Sequence, residues 1–275
     1  MINVLRRYFF VAALFISCTT NAKAAEPEIV RRLLEASGFT WHMSRNMLAI
    51  ETIPARLLNS PSPAFKAAWG VAVQETFNPQ EQMQELEAGI AAQMSDEDVR
   101  FLLTYLETPL AARIKQIEQS GSNPNATIEL RNAAEDELAR LVQQDPARLT
   151  AYRGLAKDTR YVDRTEVMAI SSLQLHLEAI ACSGQTQITE TQVRDKLEEA
   201  RSRNRPFLEN LVMLNIVNSY EPLTASEIES YAGFLSSEPA KRFYRSILDV
   251  TSSVLPRRAE NFRSNLAKAL GTTDC

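Results

Sequence analysis

Between Ser95 and Arg113 the chain sets apolar side chains at Val99, Leu102, Leu103 and Leu106, the i, i+3, i+4, i+7 spacing that lines one face of an α-helix. The spacing returns 129 positions later at Ile228, Tyr231, Ala232 and Leu235. A hydroxyl opens each stripe and an acid follows three residues on, Ser95 with Asp98 and Thr224 with Glu227. The hydroxyl can take a first-turn amide while the acid reaches back to the cap amide, so both pairs predict helix starts. Tyr105 and Phe234 flank the stripes at matching places. Each helix is predicted to stop at Thr108-Pro109 or at Ser237-Glu238-Pro239. A proline in the first turn forfeits no hydrogen bond, so each opens a second helix after a sharp turn. Ala111 and Ala240 then coincide, as do Arg113 and Arg242. The pattern predicts two helix–turn–helix corners related by internal duplication, with Glu238 as an extra residue in the second. Upstream the offset fails, since Trp41, His42 and Trp69 have no counterparts.

Helical periodicity continues along the rest of the chain. Helices are expected over 27–37, 40–58, 63–77, 80–92, 95–107, 109–120, 126–144, 147–157, 160–181, 188–203, 207–220, 224–235, 239–254 and 257–269. The breakers between them include Ser60-Pro61-Ser62-Pro63, Asn78-Pro79, Gly121-Ser122-Asn123-Pro124, Asp145-Pro146, Gly184 and Glu221-Pro222. Composition agrees: 8 glycines in 275 residues is about half the usual share. Phosphate-cradling glycine loops of the GxGxxG and GxxxxGK[ST] kinds are absent. The fold class expected is all-α, a multi-helix bundle of two related halves. Its segments are a first half over 25–122, connecting helices over 123–158 and a second half over 159–275.

Residues 1–24 stand outside that scheme. Arg6 and Arg7 precede an apolar run from Tyr8 to Cys18, too short for a permanent membrane span, and Ala22-x-Ala24 fits a signal-peptidase site before Ala25. A cleaved signal peptide and a periplasmic location are expected; the rival is a lipoprotein cut before Cys18. The segment carries Arg6, Arg7 and Lys23 and no acid, so the remainder is three charges more acidic than the −4 of the whole chain. That balance gives no reason to expect nucleic-acid binding, and no second apolar run approaches membrane-spanning length.

The second corner, from Ser219-Tyr220-Glu221-Pro222-Leu223-Thr224 through Glu227, Tyr231, Phe234, Ser237 and Pro239, resembles a family of exported bacterial proteins, domain-of-unknown-function family twenty fifty-nine. Residues 80–120 share the resemblance less fully. The family's glycine after Ser-Pro is Ala111 and Ala240 here. The resemblance implies a periplasmic helical bundle and no activity.

Chemistry is sparse. His42 and His176 are the two histidines, neither has a second metal ligand at i+3 or i+4, and neither HExxH nor GxSxG occurs. No catalytic residue, cofactor or metal site is assigned, and the chain is read as no enzyme. Cys182 and Cys275 remain after processing, and in an oxidising compartment they are expected to pair. Seven acids and no base lie between Ala67 and Val99, whereas Lys241, Arg242, Arg245, Arg257, Arg258, Arg263 and Lys268 crowd the end of the chain. These bases are a candidate patch for an anionic partner: an envelope surface, an acidic protein or the chain's own acidic segment. The function expected is contact with a protein or the envelope. The alternative is carriage of a small apolar ligand between the halves, lined by Trp41, Met43, Met47, Phe65, Trp69 and Phe101.

Overall fold

The structure is a computed structural model that describes residues 24–58, 60–121, 128–184 and 188–272. Fourteen α-helices and no strand lie among them, as the periodicity predicts. Residues 1–23 of the expected signal peptide, the Ser122–Pro124 part of the breaker and Cys275 fall outside the described residues.

Proline punctuates the helix starts. It occupies the first or second position of α1 (Pro27–Ala36), α3 (Ile53–Leu57), α4 (Pro63–Thr76), α5 (Pro79–Ala91), α7 (Pro109–Gly121), α9 (Pro146–Asp158), α12 (Arg205–Tyr220) and α14 (Glu238–Leu270). Side-chain caps open others: Ser95 for α6 (Asp96–Leu106), Thr189 for α11 (Glu190–Arg203) and Thr224 for α13 (Ala225–Leu235), each a reciprocal capping box. The remaining helices are α2 (Phe39–Glu51), α8 (Ile128–Gln144) and α10 (Tyr161–Cys182).

Two expected boundaries are corrected. The helix expected over 40–58 breaks at Thr52 into α2 and α3. Pro54 has no amide hydrogen for the Ile50 carbonyl, and the Trp69 indole N–H takes that carbonyl instead, at 3.1 Å. Conversely, 239–254 and 257–269 are one helix, α14, running through Pro256. Its buried face continues across the proline, from Phe243, Ile247 and Val250 to Ala259, Phe262 and Leu266. Packing along α4, α5 and α10 holds that face in line, so tertiary burial overrides the lost hydrogen bond.

The main core draws on both sides of the 122–127 gap: Leu33, Ile90, Leu102 and Ile114 meet Leu141, Tyr152, Val212, Ile228 and Ile247. A second core joins α4 to the far end of α14 through Trp69, Phe77 and Phe262, and a smaller third joins α10 to α11. The helices exchange partners between the corners. Helix α14 packs on α5, and α7 packs on α12. No helix among the described residues is long and apolar enough to cross a membrane.

Candidate functional site

The corner residues do what their spacing predicts. Ser95 Oγ accepts from the Asp98 amide at 3.1 Å, and Thr224 Oγ1 accepts from the Glu227 amide at 3.3 Å. Thr108 Oγ1 and Ser237 Oγ accept from the Ala111 and Ala240 amides at the start of the second helices. These caps keep the 129-residue offset, so Glu238 is not an extra residue. Proline has moved from the first position of α7 to the second of α14. The corners also face each other. The rings of Tyr105 and Phe234 stack at 3.9 Å with planes 7° apart. Arg113 pairs with Glu227, the capping acid of the other corner, and Arg242 pairs with Asp98.

The basic residues near the C-terminus turn to acids of this chain. Arg257 and Arg258 share Glu85 at 2.8 and 2.9 Å. Buried Arg258 also donates to the Thr76 carbonyl. Arg263 lies 3.7 Å from buried Glu178, and Lys241 lies between Asp158 and Glu238 at 3.9 and 3.8 Å. Of the seven patch residues, Arg245 and Lys268 have no acidic partner among the described residues. The acidic segment 67–99 thus supplies Glu85 and Asp98 to the basic helix, the intramolecular option of the three.

The residues suggested for an apolar ligand do not gather. Phe65 and Trp69 fill the second core, Met43 rests on the main core, and Phe101 is 48% exposed. The side chain of Met47 lies outside the described residues. His176 Nδ1 is 2.6 Å from the Ser172 carbonyl oxygen of its own helix. His42 is half-buried, and burial first, then the charges of Arg164 and Arg45, hold its pKa below the ordinary 6.5.

Sequence reasoning missed the most distinctive cluster. Glu118, near the end of α7, takes hydrogen bonds on Oε1 from the hydroxyls of Tyr220 on α12 and Tyr231 on α13, the latter at 3.0 Å. Tyr244 on α14 stands beside Tyr231. Arg164 of α10 lies over the rings of Tyr244 and Tyr161, at 4.9 and 5.5 Å from their centres. Burial raises the Glu118 pKa above its usual 4.5, against the two phenolic bonds and the Arg164 charge, which lower it. Burial, reinforced by the charge of Glu118, holds Tyr220 and Tyr231 well above 10. Tyr244 is pushed up to about 12, mainly by burial. A signal for the cluster does exist in the sequence. Leu110, Ile114 and Glu118 are spaced i, i+4, i+8, which sets an acid in line with an apolar stripe.

The 129-residue offset places Ala91, Leu102 and Ile247 at the positions of Tyr220, Tyr231 and Glu118. All three are buried and apolar. One corner therefore carries hydroxyls and a carboxyl where the other carries ordinary core.

On the outside, α9, α10 and α12 wall a recess of about 340 Å³. Ala156, Val162, Val212 and Met213 give it an apolar floor, and Arg153 and Lys157 stand at its lip. Arg160 and Arg205, also lining it, are paired with Asp163. Arg153 and Lys157 have no acidic partner among the described residues. No family model, no curated protein and no solved structure matches the chain.

Proposed function

We propose that the protein is exported and works by contact, without turnover, receiving an acidic and partly apolar segment of a protein partner in the recess between α9, α10 and α12. The observation that carries this reading is the combination of an apolar floor with two cations, Arg153 and Lys157, that have no acidic partner among the described residues. On α14, by contrast, most bases meet acids of the same chain, as at Glu85 and Asp98. Uncommitted cations beside apolar surface favour an anionic partner with something greasy to bury. Placing a photo-crosslinkable residue at Lys157 in cells, with a control at Glu97, tests it. A defined adduct from position 157, lost on Met213→Glu, is the expected result; equal labelling from both positions would end the reading.

Export rests on Arg6, Arg7, the apolar run and Ala22-x-Ala24. The internal duplication belongs to the same proposal. Reciprocal pairing of Arg113 with Glu227 and Arg242 with Asp98, about a stacked Tyr105 and Phe234, is the contact pattern of a two-fold axis and supports it. So do the matching caps, which also support the family resemblance. Cys182 and Leu270 pack on the same second core, five residues short of Cys275, and that proximity supports the Cys182–Cys275 disulfide.

A further inference from the structure

The Ala25 amide lies beside an antiparallel bridge between Ala24 and Ser95, and it has more acceptors than one proton can fully serve. The Ala25 nitrogen faces two carbonyl oxygens, Ala91 O at 3.1 Å and Met94 O at 2.9 Å. Ala91 is the last residue of α5, the end of the helix where the dipole is negative, and Met94 lies in the turn that follows. Ala25 itself is 4% exposed, with Ala91 and Met94 buried around it. The next amide, of Glu26, donates to Asp96 Oδ1 at 3.0 Å, so a carboxylate stands close by. A peptide N–H has one proton to divide between the two carbonyls. An α-ammonium has three protons and a positive charge.

We propose that this is a socket for a free N-terminal ammonium at Ala25, filled once the signal segment is removed. The inference rests on the export reading. In the step concerned a signal peptidase hydrolyses the Ala24–Ala25 bond. Water supplies the oxygen of a new Ala24 carboxylate, and the Ala25 nitrogen gains protons to become the ammonium. Helix α1 begins two residues later, at Pro27, and packs on α5 and α6. Seating the amine therefore fastens the start of α1 to the first corner. Position 25 must be small, because its side chain is enclosed.

The test exports the full chain, identifies the mature N-terminus by mass spectrometry, and follows acetylation of the α-amine by an N-hydroxysuccinimide ester with peptide mapping. The expected product begins at Ala25, and its amine reacts at least about tenfold more slowly in the folded protein than in urea, since reaction requires local opening. Inserting one glycine between Ala24 and Ala25 moves the amine out of the socket. That variant should label rapidly and melt at a lower temperature. The difference in melting should be present below about pH 8, where a free α-amine is charged, and fade as the pH rises past it. A chain that begins at Ala25 but labels as quickly folded as unfolded overturns the socket and leaves export standing. A chain left uncut, or cut elsewhere, overturns both.

Discussion

Replacing Glu118 separates two effects that the structure places at one atom. Glu118→Leu leaves the buried hydroxyls of Tyr220 and Tyr231 without their shared acceptor. An unpaired buried hydroxyl costs about 1–3 kcal/mol, and relief from desolvating the carboxylate offsets part of the sum, so a net loss of about 2–4 kcal/mol is expected at pH 7. Glu118→Gln keeps a carbonyl acceptor and removes the titration. Because burial raises the pKa of Glu118, the folded chain binds a proton more readily than the unfolded chain, whose glutamate titrates near 4.5. Wild-type stability should therefore fall, through this group, as the pH rises from about 4.5 through the raised value, and Glu118→Gln should lack that fall. Urea unfolding followed by far-ultraviolet circular dichroism between pH 4 and 8 measures both variants. The reasoning is refuted if the difference between wild type and Glu118→Gln is flat across that range. It is refuted equally if Glu118→Leu is as stable as wild type at pH 7.

The reciprocal pairs should show coupling. Arg113→Ala should lower stability slightly, the pair being part-exposed, and should cost less when Glu227→Gln, which keeps an acceptor for the Thr224 amide, has already removed the charge in a double-mutant cycle. Gly89 sets the approach of α5 to α14: an added Cβ would lie 2.5 Å from Val250 Cγ2, so Gly89→Ala should lose about 1–3 kcal/mol by crowding, and Gly89→Ala with Val250→Ala should lose less than the two single losses added together. Arg258→Met should cost about 1–3 kcal/mol, because it strands the Thr76 carbonyl in the core, whereas exposed Arg257→Met should cost under about 1 kcal/mol by the same unfolding assay. Non-reducing peptide mapping should recover Cys182 joined to Cys275, and reduction should lower stability by up to about 4 kcal/mol in the chain-entropy model; two alkylatable thiols would refute the pairing.

What the sequence made legible was local. Capping boxes, apolar stripes and first-turn prolines depend on residues three or four apart, and they locate α6, α7, α13 and the start of α14. Where a distant residue decides, local reading fails. Nothing near Pro54 announces that Trp69 will take the Ile50 carbonyl, nor does anything near Pro256 announce a face buried against α4. The basic C-terminal helix read as a patch for an outside anion because its partners, Glu85 and Asp98, lie more than a hundred residues earlier. The Glu118 cluster was hidden for the same reason: its phenols come from α12 and α13, and only the acid on the apolar stripe of α7 betrays it.

That cluster is also where the two corners part company, and the difference bears on how it should be understood. Caps, stacked rings and crossed ion pairs are matched on both sides, so the requirements of the corner as an architectural unit are met twice. At the positions of Tyr220, Tyr231 and Glu118 the first corner is built from Ala91 and Leu102, with Ile247 of α14 facing them in the exchanged arrangement. Apolar packing thus serves the first corner where the second has hydroxyls and a carboxyl. Three polar groups in their place carry a desolvation cost that their mutual hydrogen bonds and the Arg164 charge offset in part, and the raised pKa of Glu118 is the residue of that cost. A triple replacement, Glu118→Leu with Tyr220→Phe and Tyr231→Phe, makes the polar corner apolar while keeping both rings in the core. It should fold with stability closer to wild type than Glu118→Leu alone, because the two hydroxyls that Glu118 received are gone with it. Were it less stable than the single variant, the cluster would be a packing requirement of the second corner and the comparison between corners would lose its force.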